Sequence, residues 1–128
     1  MNQAQIFKSV FIVLTSMFLL SFVHSSFQAS NAFVQFRILS PLDSDSARKI
    51  DEKIGSKSGV LESRTDFVTS TYFCLLSPDA DFTKEDFEEW FLKLGFEIAC
   101  YNKGIQNIDA MISPHALKSC TDESEQKN

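Results

Sequence analysis

The sequence predicts an α+β domain, a βαββαβ sandwich in which two helices cover one face of a four-stranded antiparallel sheet. Alternating apolar and polar residues mark four strand segments within residues 33–101. Two amphipathic segments with capping residues at their starts lie between the strands, one after the first strand and one before the last. This order of elements is the split βαβ, or ferredoxin-like, arrangement, and right-handed crossovers place its two helices side by side.

The N-terminal segment differs from the rest of the chain. Lys8 is its only charged residue, and residues 10–23 are uncharged and mostly apolar. A polar start, an apolar core shorter than a membrane span and small residues after it are the layout of a secretory signal peptide. Residues 1–29 are therefore predicted to be a signal peptide, and the protein to be exported, periplasmic or secreted. An uncleaved membrane anchor formed by residues 9–23 is the alternative.

The cleavage site of the signal peptide is left open by the sequence. Cleavage requires small residues at the −3 and −1 positions. Both Val23-His24-Ser25 and Ser30-Asn31-Ala32 nearly satisfy this requirement.

The first predicted strand is residues 33–39. Val34, Phe36 and Ile38 share one face of it, which indicates a sheet with one covered face. Pro41 follows the strand and cannot continue it, because proline lacks an N–H for the ladder.

The first predicted helix begins after Asp43 or Ser44, either of which can cap it through a side-chain oxygen. Apolar residues at spacings of three and four form one buried stripe, which consists of Ala47, Ile50 and Ile54. Gly55 and Gly59 mark the end of this helix and the turn into the next strand.

The second half of the domain is predicted in the same way. Residues 60–67 and 71–76 alternate as two strands joined by a tight connection. Thr83 is a good N-cap for the second helix, and Asp86 three residues later gives a near capping box. The last strand is expected at residues 96–101.

The predicted domain therefore spans residues 33–101. Residues 102–128 form a C-terminal extension with a polar tail and without a sustained period. Within the extension, Ser113 can cap a short helix that has Pro114 at its first position.

The order and spacing of these elements resemble a heavy-metal-associated (HMA) domain, the small copper-chaperone-like module, over residues 33–100. Ile50 and Ile54 lie where that family has the apolar pair of its first helix, and Gly59-Val60 lies at its Gly-Val turn. Residues 94–97 (LGFE) are similar to its Leu-Gly-Tyr/Phe stretch after the second helix. The resemblance implies the fold and a family role in binding or transferring copper.

The family's metal ligands belong to a Met-x-Cys-x-x-Cys motif in the loop before the first helix. In this sequence Pro41 lies at the Met position, and Asp43 and Ser46 lie at the two Cys positions. Thiolates suit Cu(I) because ligand and metal are both soft, whereas a carboxylate and a hydroxyl are hard. The thiol site is therefore absent, and no cofactor is expected unless Cu or Zn binds at a non-standard site.

The three cysteines allow three single disulfides in an exported chain and leave one thiol unpaired. Cys74 lies mid-strand and is expected to be a small buried core residue. Because the first strand separates the third and fourth in this fold, a Cys74–Cys100 bridge is disfavoured. The favoured bridge is Cys100–Cys120, which would pin the C-terminal segment to the sheet. Two free thiols are the alternative.

Charge and motifs exclude several function classes. The chain has 17 acidic and 12 basic residues, and an acidic domain repels phosphate backbones, so nucleic acid is not an expected partner. With His115 as the single mature histidine, no Ser-His-Asp or Cys-His pairing can be placed. The sequence predicts a protein that is not an enzyme, with no membrane partner unless the N-terminal segment is retained.

The predicted role is that of a small exported HMA-like binding module with an unknown protein partner. Its expected interaction surface is the open sheet face with Gln35, Arg37, Phe73 and Leu75. Trp90 is either part of a broad buried stripe on the second helix or an exposed aromatic anchor for a partner.

A second function remains open from the sequence. Metal handling at a non-standard site would use Cys100, His115 and Cys120, although their spacing matches no recognised metal pattern.

Overall fold

The computed structural model describes residues 2–6 and 28–121. The apolar core of the predicted signal peptide and nearly all of the polar tail lie outside these residues. Within them, no helix is both long and apolar enough to cross a membrane. The elements are β1 Ala32–Ile38, α1 Ser44–Gly55, β2 Val60–Asp66, β3 Thr71–Leu76, α2 Lys84–Lys93, β4 Ile98–Ile105 and α3 Pro114–Lys118.

The four strands form one antiparallel sheet in the order β2-β3-β1-β4. Helices α1 and α2 cover one face of this sheet, as the sequence predicts for a ferredoxin-like fold. The core between helices and sheet consists of fully buried residues from β1, β3 and both helices: Val34, Phe36, Ile38, Ile50, Ile54, Tyr72, Cys74, Leu76, Phe87 and Phe91.

Helix α1 begins directly after its capping residue. Asp43 is its N-cap, and its carboxylate accepts a hydrogen bond of 2.7 Å from the backbone N–H of Ser46. The predicted stripe of Ala47, Ile50 and Ile54 is buried against the sheet. The cap and the stripe together confirm the prediction for this helix.

Helix α2 begins with a complete capping box. The Thr83 side chain accepts from the backbone N–H of Asp86, and the Asp86 carboxylate accepts from the backbone N–H of Thr83 at 2.7 Å. Gly95 follows the helix with a φ of 90°, a left-handed conformation that glycine adopts without a steric penalty.

Strand β4 differs from the prediction, because it begins at Ile98 and continues to Ile105, beyond the expected end at Tyr101. A bulge interrupts its pairing with β1: Arg37 is opposite Ala99, whereas Gln35 is opposite Asn102. Cys100 lies in this bulge with a φ of 56°, which is unusual for a residue other than glycine. The extra residue breaks the simple alternation, which is why the sequence pattern ends early.

The remaining described residues return across the second face of the sheet. We call residues 106–120 the C-terminal strap. It turns after β4, runs along the sheet and ends in α3, which Ser113 caps with Pro114 at the first helical positions. The strap places one short helix on the face that the prediction leaves open.

Candidate functional site

The loop before α1 is built as a helix cap. Asp43 and Ser46 are three residues apart, the spacing of an N-cap and the third residue of a helix, and their hydrogen bond uses this geometry. The pKa of Asp43 is lowered, chiefly by the hydrogen bond from the Ser46 backbone. Pro41 and Asp43 are exposed. These residues offer one carboxylate and one hydroxyl and no thiolate, so this loop does not fit Cu(I).

Cys100 and Cys120 form the predicted disulfide. Their sulfurs are 2.09 Å apart and their Cα atoms 6.3 Å apart, within the ordinary range for a disulfide. The bridge closes a loop with a sequence separation of 20. In the chain-entropy account, a loop of this length contributes about 3 kcal/mol to stability.

Cys74 carries the free thiol among the described residues, and it is buried in the core as expected. Burial raises the pKa of the Cys74 thiol to about 11. A buried and protonated thiol is a poor nucleophile and a poor metal ligand, so Cys74 acts as an apolar packing residue.

His115 lies exposed on α3. Asp66 at the end of β2 has a lowered pKa: its burial acts to raise the pKa, and hydrogen bonds from Thr69 and Val68 outweigh that effect. No group of three or more His, Cys, Asp or Glu side chains within residues 2–6 and 28–121 has the geometry to hold a metal ion.

Gln35 requires a correction to the predicted interaction surface. Its side chain is only 7% exposed because the strap covers it. The amide nitrogen of Gln35 donates to the carbonyl oxygen of Ile112 at 2.9 Å, and its amide oxygen accepts from the N–H of Ile112 at 3.0 Å. Gln35 is therefore occupied by the chain itself and does not lie open to a partner.

Arg37 is also engaged by the strap. Its guanidinium donates a hydrogen bond of 2.8 Å to the carbonyl oxygen of Cys120, and the residue is half-buried. Phe73 and Leu75, the other two predicted surface residues on the sheet, are half-buried. The sheet face is thus divided into a half under the strap and a half beside it.

Two apolar side chains are buried on the strap side of the sheet: Phe33 in β1, and Leu117 where α3 contacts β1 and β3. Each is 1% exposed. Gly104 makes room for the Phe33 ring, since a Cβ at Gly104 would lie 2.6 Å from a ring carbon and 2.8 Å from the Cβ of Asp109. The sequence pattern does not predict the burial of Leu117, because the strap must first return across the sheet to cover it.

A groove of about 730 Å³ lies between the strap and the β2–β3 half of the sheet. Its residues include Arg64, Phe67, Phe73, Met111, Ile112 and Pro114. We call it the strap groove. Three of its large apolar side chains are exposed: Phe67 at 46%, Met111 at 58% and Ile112 at 38%. Contiguous exposed apolar side chains of this kind mark binding surfaces in soluble proteins.

Trp90 lies apart from this groove, on the helical side of the domain. Its half-buried ring packs edge-on against Phe82 and Phe87, with centroids 4.9 and 5.0 Å away. The Lys57 ammonium lies 4.2 Å above the ring centroid. Ring packing and a cation–π contact explain Trp90 as a packing residue at the edge of the core.

Solved structures match this architecture. The N-terminal domain of a potential copper-translocating P-type ATPase from Bacillus subtilis, in its Cu(I)-loaded state, matches with a TM-score of 0.50 and 18% identity. The match covers 63% of this chain and 99% of that domain. The chain has the HMA-like ferredoxin fold. A copper-binding domain from HMA7, a P-type ATPase, matches with a TM-score of 0.46 and 15% identity, over 58% of this chain and 92% of that one.

The likeness of this chain to known proteins is confined to its fold. No protein-family model matches the sequence, and no curated protein matches it. At 18% identity the structural match shows the fold alone.

Proposed function

We propose that this HMA-like domain is an exported, non-enzymatic binding module that holds a segment of a protein partner in the strap groove. The single observation that supports this function most directly is the groove itself. It places Phe67, Met111 and Ile112, all substantially exposed, around one concave surface of about 730 Å³. The proposed ligand is an extended peptide segment with a large apolar side chain, because such a side chain would remove these three residues from water.

Polar groups at the groove suit such a ligand. Arg64 and Thr65 line it from β2, and Ser113 lines it from the strap. A few polar groups in a mostly apolar concave site fix the orientation of a ligand and give specificity. The module would therefore select an apolar anchor next to backbone or polar side chains that can hydrogen-bond.

Export is supported by the disulfide and by the sequence of the N-terminal segment. Structural disulfides persist in oxidising compartments and are rare in the cytosol. Cys100–Cys120 joins the sheet to the end of the strap, and the strap forms one wall of the groove. An exported location is the setting in which this bridge forms and lasts.

The proposal is tested with peptides selected from a random library on the oxidised full chain. We expect selected peptides to contain an apolar anchor and to lose at least about tenfold in affinity with Met111→Asp or Phe67→Asp, as for other buried apolar anchors. Leu92→Asp is the matched control, because Leu92 is 66% exposed on α2, away from the groove. Peptides whose affinity responds to Leu92 and not to the groove variants would refute the proposal.

A second candidate function is metal handling by the reduced protein. It is supported by the bonded sulfurs of Cys100 and Cys120, since reduction of the bridge would supply two thiols. Thiolates are suitable ligands for Cu(I) and Zn, and His115 on α3 is the third ligand of this proposal. Copper and zinc titrations of the reduced and oxidised protein, with a thiol count, distinguish the two functions. Stoichiometric tight binding by the reduced form alone would favour metal handling.

A further inference from the structure

The strap behaves as a ligand of the sheet face that belongs to the same chain. Ile112 presents its backbone N–H and C=O to the side-chain amide of Gln35, as a bound extended peptide would. Leu117, 1% exposed, is buried where α3 contacts β1 and β3. One backbone anchor and one apolar anchor are the ordinary means by which peptides are recognised.

The strap has little internal structure to hold it in place. Every residue from 107 to 116 is exposed, and Leu117 is the only buried residue of the strap. Its helix α3 has five residues, too few to be stable alone. Ordering a chain segment costs conformational entropy at each residue. The small number of contacts between the strap and the sheet must offset that cost for the whole strap.

The disulfide is the strongest attachment of the strap. Cys100 lies in the bulge of β4, and Cys120 lies at the end of the strap, so the bridge fixes the strap at the point where it would otherwise leave the sheet. It raises the effective concentration of Ile112 and Leu117 at their sites on the sheet. Without the bridge the strap is attached only through its start after β4, and the contacts of Ile112 and Leu117 alone must hold it on the sheet.

We infer that the strap is a redox-controlled pseudo-ligand: reduction of Cys100–Cys120 releases it and exposes the sheet face around Phe33 and Gln35 to an extended peptide of the same chemistry. The reductant is a dithiol. One of its thiolates attacks a sulfur of the bridge to form a mixed disulfide, and its second thiol displaces the protein sulfur. The protein gains two electrons and two protons as two Cys thiols, and the dithiol becomes a disulfide.

Reduction would therefore exchange one binding surface for another. The strap groove loses Met111, Ile112 and Pro114, which form its second wall. The sheet gains an open apolar region and a Gln35 amide that no longer bonds Ile112, although its oxygen still accepts from Asn102. This inference does not require that the groove binds a partner, since it concerns the face that the strap covers.

Hydrogen exchange on the full chain tests the release. The amides of Ile112, Leu117 and Cys120 are hydrogen-bonded when the strap is closed. In the Cys100→Ser/Cys120→Ser variant, we expect these amides to exchange at least about tenfold faster than in the oxidised protein, as for a segment that opens locally. Amides in the β1–β3 pairing must remain protected, which separates release of the strap from loss of the fold.

A Cys74→Ala variant is the control for the reductant. It keeps the bridge and lacks the buried thiol. Added dithiol should accelerate exchange in the strap of this variant as it does in the wild-type chain. Unchanged exchange of the strap after confirmed reduction, in either protein, would overturn the inference.

A synthetic peptide of residues 106–119 tests the exposed face. We expect it to bind the Cys100→Ser/Cys120→Ser variant and to bind the oxidised wild-type chain at least about tenfold more weakly, because the tethered strap competes at high effective concentration. The same peptide with Leu117→Asp should not bind, since it lacks the apolar anchor. A strap that opens without binding of the first peptide would refute the peptide-binding half of the inference, and equal binding to both proteins would refute the redox control.

Discussion

The side-chain amide of Gln35 and the backbone of Ile112 form a pair of hydrogen bonds of 2.9 and 3.0 Å. The two residues are 77 positions apart in the chain. A primary amide has both a donor and an acceptor, as a backbone peptide unit does. The Gln35 side chain therefore makes the pair of hydrogen bonds that the backbone of a neighbouring strand would otherwise make with Ile112. This pair fixes the position along β1 at which the strap crosses the sheet.

Replacing Gln35 tests this pair directly. Gln35→Ala should lower the free energy of unfolding by about 1–3 kcal/mol, because it leaves partly buried donor and acceptor groups of the strap without partners. Urea unfolding measures the loss. Gln35→Glu is the matched variant, since it keeps the shape and the acceptor but cannot donate to the Ile112 carbonyl when ionised. A Gln35→Ala protein as stable as the wild type would contradict this account.

Thiol counting checks the state of the cysteines. The native oxidised protein should react slowly with a thiol reagent, because its one free thiol, on Cys74, is buried and has a pKa raised to about 11. Denaturant alone should reveal one thiol per chain, and denaturant with reductant should reveal all three cysteines. Three reactive thiols in denaturant without reductant would rule out the bridge.

Removing the bridge should also reduce stability. Cys100→Ser/Cys120→Ser is expected to lower the free energy of unfolding by about 3 kcal/mol, the value for a loop of this length in the chain-entropy account. Thermal and urea unfolding of the variant and of the oxidised wild type measure the difference. Equal stabilities would show that the bridge does not restrict the unfolded chain.

The cap of α1 should make stability depend on pH. The pKa of Asp43 in the folded protein lies below its ordinary value of 3.8, so the folded state prefers the ionised form. The resulting stabilisation is present above pH 3.8 and is lost as the pH falls through the lowered pKa. Unfolding free energies of the wild type and Asp43→Asn across this range isolate the effect, since asparagine caps without a charge. Parallel pH profiles would refute this role of Asp43.

The loop before α1 should accept a metal when its thiols are supplied. Asp43→Cys/Ser46→Cys places two thiols at the N-cap and the third helical position, where the helix N-terminus favours thiolates. We expect this variant to bind one Cu(I) with the Cys100–Cys120 bridge intact, and the wild-type loop to bind none. Ser46→Cys alone is the control and should bind far more weakly. A double variant without Cu(I) binding would show that the loop geometry is unsuited to the metal.

If the proposed signal peptide is cleaved, the cut should spare the start of β1. Asn31 accepts a backbone hydrogen bond of 2.9 Å from Gln106, and Ala32 pairs with Leu76 and Ile105. Cleavage after Ala32 would cut these contacts, whereas cleavage after Ser25 leaves them whole. N-terminal sequencing of the exported protein checks this expectation. A mature chain that begins at Phe33 would contradict it.

Local chemistry explains what could be predicted. Asp43, Thr83 and Ser113 each begin a helix as expected, because a cap depends only on residues within one turn. The Cys100–Cys120 bridge could be favoured because the strand order of the fold already separates Cys74 from Cys100.

Long-range structure explains what could not be predicted. The predicted end of β4 was wrong because the bulge at Cys100 shifts the alternation of inward and outward side chains. The positive φ of Cys100 cannot be recognised from a pattern of apolar and polar residues. Gln35 was wrongly placed on an open surface because its burial depends on the path of the strap. Neither the bulge nor that path follows from the residues next to them.

The bridge also determines how this protein would respond to mechanical force. A pull applied to the two ends of the chain passes from β4 to the C-terminus through the Cys100–Cys120 sulfurs, and the residues between them bear no load. The 20-residue separation then corresponds to about 70 Å of hidden length at full extension. That length is released only when the bridge is reduced, so the oxidised chain is the shorter and stiffer tether.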